Sequence, residues 1–146
     1  MSKVWVVAAD GSRAQILESP NRVGPLKPVS RLQHPEARMK DSELYADAPG
    51  RAFDSAGTGR HAMENEVDAK KMESVRFAKQ LCSFLQEKSR AGAFDKLVLA
   101  AAPQFLGLLR DNLDKNVREK ISAEVDKDLA NERPDDIRGH LPDFLY

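Results

Sequence analysis

The sequence contains a single cysteine, few aromatic residues and no excess of charge of either sign. Cys82 has no cysteine with which to form an internal disulfide, and only 6% of the 146 residues are aromatic. The 23 basic residues balance 23 acidic ones, so no overall field draws the protein toward phosphate backbones or anionic membranes. Any contact with nucleic acid must therefore come from a local group of basic side chains.

Long apolar runs are also missing. No stretch approaches the roughly 20 apolar residues that a membrane span requires. The apolar run near the N-terminus, Val4 to Ala9, is too short for a secretory signal peptide. We therefore expect a cytoplasmic protein without membrane contact. Its 146 residues are enough to bury the core of one domain without disulfides or metal ions.

A β-hairpin is predicted at the start of the chain. Val4 to Ala9 is rich in β-branched and aromatic residues, and Asp10-Gly11 separates it from a second strand-like run, Arg13 to Glu18. An Asp-Gly step between two such runs favours a tight turn, for which we expect Gly11 to supply a positive φ. The first two strands are therefore expected to pair antiparallel.

A third strand and a long loop follow the hairpin. Leu26 to Gln33 reads as a strand, and its Pro28 favours a position at the edge of the sheet because proline cannot donate to a ladder. From residue 35 to residue 62 no periodicity holds, and glycines and a proline interrupt the segment. Loops of that length inside one domain are usually functional or mobile.

The second half of the chain alternates between helical and strand patterns. Residues of one side recur at three- and four-residue steps after residue 62, which predicts a long amphipathic helix stopped by Gly92. They are Val67, Ser74, Val75, Ala78, Leu81, Cys82 and Leu85. The continuous apolar run after it is typical of a parallel strand buried on both faces. In order, we predict a strand at Lys96 to Ala102, a helix from Pro103 to Asn112, a helical turn at Val117 to Lys120, a strand at Ile121 to Leu129 and a closing helix at Pro134 to His140.

These elements predict one α/β domain spanning residues 1–146. An antiparallel meander comes first, and strands joined by helical crossovers follow, so the sheet should be mixed. The helices should pack on that sheet. No composition shift or linker suggests a second domain.

The motifs resemble those of the bacterial host-attachment protein family over almost the whole chain. They are the hairpin V-A-A-D-G-S-R-A-Q-I-L, the loop P-G-R-A-F-D-S-A-G-T-G-R-H-A-M-E, the step L-V-L-A-A-A-P-Q-F-L-G-L-L-R and the late V-D-K-D-L. The resemblance implies a role in attachment to host cells. The element order is also similar to the middle domain of archaeal and eukaryotic class-1 peptide-chain release factors and of Pelota, which implies RNA or a ribosomal surface as the partner.

The loop departs from the release-factor pattern. It contains Gly57-Thr58-Gly59-Arg60-His61 and no Gly-Gly-Gln, so peptidyl-tRNA hydrolysis of the release-factor type is not expected. The start of the following helix, Glu64 to Glu73, holds four acids against two bases. A helix lying on ribosomal RNA should be basic, so this charge balance argues against such a contact.

The loop nevertheless holds the first candidate binding residues. Arg60 offers a planar donor fork and His61 titrates near neutral pH, so together they suit an anion near a helix N-terminus. In the alternative interpretation Arg60 pairs with Asp54 and His61 bonds to backbone, which only fixes the loop. Arg51 joins a candidate basic patch around the loop, for which ordinary surface solvation is the competing explanation; its other members are Arg60, Lys70, Lys71 and Arg76.

The carboxyl end of the predicted parallel strand is the second candidate site. Ligands of open α/β sheets bind beyond the carboxyl ends of the strands, here near Ala102 and Gln104. Lys127 either approaches that crevice or merely ends the last strand. The cysteine lies on the apolar side of its helix and is expected to be a small buried hydrophobe. The three histidines have no ligand-spaced neighbours, so we expect no metal site and no cofactor.

The sequence leaves three functions open. The first is a non-enzymatic binding protein that engages RNA or the ribosome through residues 49–62 and the helix after them. The second is an attachment factor that acts at the cell surface, although the missing signal peptide argues against it. The third is a small hydrolase or nuclease that uses His61 with Asp54 or Glu64, for which no catalytic spacing gives support. A homo-oligomer is compatible with the sequence, but no residue pattern predicts one.

Overall fold

The computed structural model describes residues 3–33 and 59–146, with side chains described at 3–33 and 68–146. Over these ranges the chain forms five strands and four helices. In chain order they are β1 (Val4–Ala9), β2 (Arg13–Ser19), β3 (Lys27–Gln33), α1 (Gly59–Arg90), β4 (Lys96–Ala100), α2 (Pro103–Asn112), α3 (Lys115–Lys120), β5 (Ile121–Val125) and α4 (Pro134–Gly139).

The five strands form one sheet in the order β3-β2-β1-β4-β5. β1 and β2 pair antiparallel, as do β2 and β3, whereas β4 runs parallel to both β1 and β5. The predicted α/β fold with a mixed sheet is therefore confirmed. β1 is central, and all six of its residues are buried. β3 ends the sheet on one side, which is where Pro28 can be accommodated without breaking an interior ladder.

The predicted hairpin forms, but the expected role of its glycine is wrong. Gly92 is the one described glycine with a positive φ, at 75°, so Gly11 is not left-handed. Instead, Asp10 closes the turn, because its Oδ1 accepts hydrogen bonds from the backbone N–H of Ser12 and of Arg13 at 2.8 and 2.9 Å. A β-carbon at Gly11 would overlap the hydroxyl of Ser74. The glycine therefore permits a close approach of the turn to α1.

One face of the sheet packs against α1, α2 and α3. The buried stripe of α1 consists of Phe77, Ala78, Leu81, Cys82 and Leu85, in agreement with the predicted amphipathic helix except that Phe77 was not assigned to it. α1 ends at Arg90, just before Gly92, whose positive φ suits a residue that follows a helix. These contacts form the larger of the two core clusters.

The second face of the sheet is covered by the chain after β5. β5 ends at Val125, four residues before the predicted end of the strand at Leu129. The polar residues 126–128 are exposed and lie outside the sheet. Leu129, which follows them, is buried against the second face of the sheet. The strand predicted over Ile121 to Leu129 therefore joins a short strand to a buried residue that lies outside it. Ile137, Leu141 and Leu145 complete this layer.

Hydrogen bonds from two arginines hold the C-terminal segment against the rest of the protein. Arg22 Nε donates to the backbone oxygen of Tyr146 at 2.9 Å, and the backbone N–H of Leu145 donates to the Arg22 oxygen at 2.8 Å. Arg138 donates from Nη1 to the oxygen of Pro142 and from Nε to that of Gly24. These bonds hold the chain end across the sheet, where its leucines cover the second face.

Cys82 has the inert environment that its position in the apolar stripe predicts. Its Sγ donates to the backbone oxygen of Leu109 at 3.5 Å, and burial raises the pKa of the thiol from about 9 to about 12. Because only the thiolate reacts, we expect modification by a disulfide reagent at pH 8 to be at least ~100-fold slower in the folded protein than in the urea-unfolded chain.

The raised pKa of Cys82 also sets the direction in which the stability of the fold changes with pH. A thiol whose pKa is raised by folding stabilises the folded state fully below the pKa of the unfolded chain, near 9, and this contribution is lost as the pH rises toward 12. In the modification experiment with the disulfide reagent, equal rates for folded and unfolded protein would show that Cys82 is accessible and would contradict its buried position.

Candidate functional site

A groove of about 490 Å³ lies at the carboxyl ends of β1 and β4. These strands are parallel neighbours, so both of their carboxyl ends open at the same edge of the sheet. The turn after β1 forms one wall, α1 forms the second, and the start of α2 after β4 forms the third. The strand-end groove, as we call it, is lined by Asp10, Gly11, Lys70, Lys71, Ser74, Ala102, Gln104, Phe105 and Leu108.

Two lysines of α1 extend the core-facing side of that helix over the groove. Lys70, Ser74, Phe77 and Leu81 are separated by steps of four, three and four residues, so they share one face of the helix. Phe77 and Leu81 are fully buried, whereas Lys70 and the adjacent Lys71 are exposed. The helix therefore continues past the sheet, and its inward side becomes basic where the sheet ends.

The length of α1 explains this overhang. Its 32 residues span about 48 Å. Its buried residues lie between Glu73 and Leu85, and every described residue from Asp68 to Met72 is exposed. A strand of six residues such as β1 covers only about 20 Å, so the sheet cannot support the whole helix.

Among the described side chains of α1 up to Lys79, the exposed charged residues are mostly basic. Lys70, Lys71, Arg76 and Lys79 are all exposed, whereas Glu73 is only 7% exposed. The acid count that argued against RNA in the sequence therefore included a carboxylate that lies in the protein interior. From Asp68 to Lys79, four exposed basic residues accompany one exposed acid.

The groove contains one of the predicted site residues with a described side chain and excludes another. Gln104 lines it, next to Ala102, as the strand-end argument predicted. Lys127 does not line it, because the chain has left the sheet at Val125 and residue 127 is exposed in the following turn. That turn is fixed by Asp128, whose Oδ1 accepts from the backbone N–H of Ala130 at 3.2 Å.

The start of α1 lies earlier than predicted. The loop was expected to reach residue 62, but the helix begins at Gly59, so Arg60 and His61 belong to its first turn. After Gly59 no glycine or proline occurs before Gly92, and the helix can propagate back to the last glycine. The predicted residues Arg51 and Asp54, and the side chains of Arg60 and His61, lie outside the described part of the structure.

Asp10 is the acid in the groove, and its carboxylate is engaged in the hairpin turn. Besides accepting from two backbone N–H groups, it lies 3.4 Å from Arg13, measured from Oδ2 to Nε. A carboxylate held in this way has a structural role. The other described polar residues that line the groove are Lys70, Lys71, Ser74 and Gln104, which are basic or neutral.

The importance of Lys70 and Lys71 at this site was only partly visible in the sequence. The sequence indicates both lysines only as members of a basic patch around the loop, and its helical pattern places Ser74 on the apolar side of the helix. The informative pattern is that polar residues, Lys70 and Ser74, occupy the same side of the helix that is apolar at Phe77 and Leu81. This pattern indicates that the helix has left the core.

Comparison with known proteins identifies the family. A family model described as "Protein required for attachment to host cells" matches residues 5–141. The chain belongs to this family. The resemblance drawn from the sequence motifs is therefore confirmed, and the family description gives the protein a role connected with attachment to host cells. No match was found among curated proteins.

The fold of this host-attachment protein is similar to that of an archaeal translation termination factor. The crystal structure of aRF1 matches 97% of this chain with a TM-score of 0.50 and 9% sequence identity. The chain spans about a third of the length of that factor, since 35% of it is covered. At this identity the likeness shows the fold alone, and it confirms the predicted release-factor-like architecture.

Within residues 3–33 and 59–146, no helix combines the length and the apolar character needed to cross a lipid bilayer.

Proposed function

We propose that this protein of the host-attachment family binds RNA through the exposed, basic part of α1 and the strand-end groove. The observation that carries the proposal is the placement of Lys70 and Lys71 on the core-facing side of a helix that has passed beyond its sheet. Lysines there have no packing role in the core. They face an open groove instead.

The geometry suits a phosphate backbone. Lys70 and Lys71 line the groove, whereas Arg76 and Lys79 lie on the solvent-facing side of the helix. Phosphate contacts from such side chains supply most of the affinity of proteins for nucleic acid without requiring a particular base sequence. A protein without net charge can bind in this way when a few basic residues, here Lys70 and Lys71, are grouped at one site.

The fold likeness suggests which RNA to test first. The similar solved structure is that of a translation termination factor, and ribosomal RNA and tRNA are the RNAs among which such a factor works. Gly-Gly-Gln is absent from this sequence, so the proposal concerns binding and not peptidyl-tRNA hydrolysis. A role in attachment to host cells would then be indirect, through RNA inside the bacterium.

A mobility-shift titration with tRNA and with a ribosomal RNA fragment tests the proposal. At about 50 mM salt we expect retardation by the native protein, and at least a tenfold weaker affinity for the double variant Lys70→Ala/Lys71→Ala. Because both side chains are exposed, the variant should retain its fold, which circular dichroism checks.

The matched control is Lys115→Ala/Arg118→Ala. This variant removes the same charge from exposed positions of α3, outside the strand-end groove. Its affinity should stay within twofold of the native value. Absence of any retardation, or an equal loss in both double variants, would refute the proposal and favour the other reading of the family role, direct action at the cell surface.

A further inference from the structure

A second groove lies on the face of the sheet opposite α1. One wall is the hairpin of β2 and β3, and the other is the segment 130–134 that leads into α4. The groove encloses about 270 Å³, close to the lower end of the about 300–1,000 Å³ that is typical of small-molecule sites. Three arginines line it: Arg13 and Arg31 from the strands, and Arg133 from the segment.

The strand register places two of these arginines side by side. Arg13 is paired with Gln33 across the two strands, and Gln15 is paired with Arg31. Directly paired residues project to the same face of a sheet, and so do residues two apart on one strand. Arg13 and Arg31 are therefore diagonal neighbours on one face, within reach of a shared ligand.

A buried glutamine fixes the opposite wall. Gln15 is 8% exposed, and its Nε2 donates to the backbone oxygens of Ala130 and Glu132 at 2.6 and 2.8 Å. A third hydrogen bond joins the same two parts of the chain, because Arg13 Nη1 donates to Asn131 Oδ1 at 3.0 Å. The backbone that carries Arg133 is thereby held against the strands, so the groove does not have to be assembled when a ligand arrives.

The charges in the groove are only partly compensated. Arg13 pairs with Asp10. Glu132 also lines the groove, but neither its carboxylate nor any other among the described residues lies within 4.0 Å of Arg31 or Arg133. Neighbouring like charges on one sheet face are unfavourable. Each guanidinium offers a planar fork of N–H donors that matches the oxygens of phosphate or carboxylate. Donors on two opposite walls can reach oxygens on different sides of a tetrahedral anion such as phosphate.

We propose that this arginine groove binds a phosphate group. Arg31 and Arg133 supply the principal donors from opposite walls, and Arg13, held by Asp10 and Asn131, completes the site. The inference does not depend on the RNA proposal, because the groove and α1 lie on opposite faces of the sheet. The phosphate belongs either to a small phosphate monoester or to the phosphodiester backbone of a nucleic acid.

The test is a titration of the full chain with inorganic phosphate, followed by the backbone and arginine Nε–H resonances in NMR spectra. We expect saturable shifts at the groove that chloride at equal ionic strength does not produce. Arg31→Ala should weaken phosphate binding at least tenfold, and Arg31→Lys should weaken it less, since it keeps the charge and loses the fork. Arg118→Ala on α3 is the control and should leave the affinity unchanged.

Competition then identifies the source of the phosphate. Displacement of phosphate by adenosine monophosphate assigns the groove to a monoester, and displacement by a short oligoribonucleotide without terminal phosphate assigns it to a backbone. The proposal is wrong if phosphate gives no saturable shift beyond that of chloride. It is equally wrong if Arg31→Ala and Arg118→Ala bind phosphate alike, or if neither competitor displaces it.

Discussion

Replacing Leu145 with alanine is expected to lower the free energy of unfolding by about 2–5 kcal/mol, the range for truncating a buried leucine. Leu145 is fully buried against the second face of the sheet, although it is the last residue but one. The chain after β5 provides the cover of that face, so truncating Leu145 removes buried apolar contacts from the second core cluster. Urea denaturation followed by tryptophan fluorescence measures the change.

The neighbouring residue provides a matched control. Phe144 is 62% exposed, and its ring lies 5.4 Å from the Arg22 guanidinium carbon, an exposed cation–π contact worth about 0.5–1 kcal/mol. Phe144→Ala should therefore cost less than about 1 kcal/mol. If the two alanine variants were equally stable, the C-terminal segment would not form the second layer of the core.

The second large effect is expected at Phe77, the aromatic anchor of α1. Its ring is fully buried and stacks on Phe105 of α2 with the centroids 6.0 Å apart. Phe77→Ala should lower the free energy of unfolding by about 3–5 kcal/mol, because it leaves a cavity between the two helices and the sheet. The same denaturation experiment detects it.

Met72→Ala, five residues earlier in the same helix, is the control for Phe77. Met72 is 57% exposed and lies where α1 has passed beyond the sheet. Its replacement should change the stability by no more than about 0.5 kcal/mol. A large loss at Met72 would mean that the first part of α1 is packed against other residues, and the overhang would then be a misinterpretation.

The elements with strong periodicity could be predicted from the sequence because each pattern has one physical solution. The apolar run of β4 requires cover on both faces, and Pro103 suits the first turn of a helix, so the sequence predicts β4 and α2 with nearly correct bounds. Pro28 identified an edge strand for the same kind of reason. The prediction of β5 extended too far because Leu129 follows the strand in sequence but is buried by a turn, which periodicity does not distinguish.

The candidate site was less predictable because it depends on where elements end in space. Gln104 could be placed at the carboxyl end of a parallel strand by topology alone. The role of Lys70 depends on how far α1 extends past β1. The need for glycine at position 11 depends on how closely Ser74 approaches the turn. Local sequence patterns predict neither distance. The arginine groove depends on the register of β2 with β3 and on a contact between residues more than 100 positions apart, Gln15 and Ala130.

RNA affinity measured as a function of salt concentration most directly tests whether α1 and the strand-end groove form a phosphate-binding surface. For single-stranded RNA, each phosphate contact contributes about 0.7 to the slope of log affinity against log salt. The native protein should show a linear decrease, and Lys70→Ala/Lys71→Ala should show a slope smaller by about 1.4. A native affinity that does not change with salt, or a double variant with the native slope, would contradict RNA binding at this site.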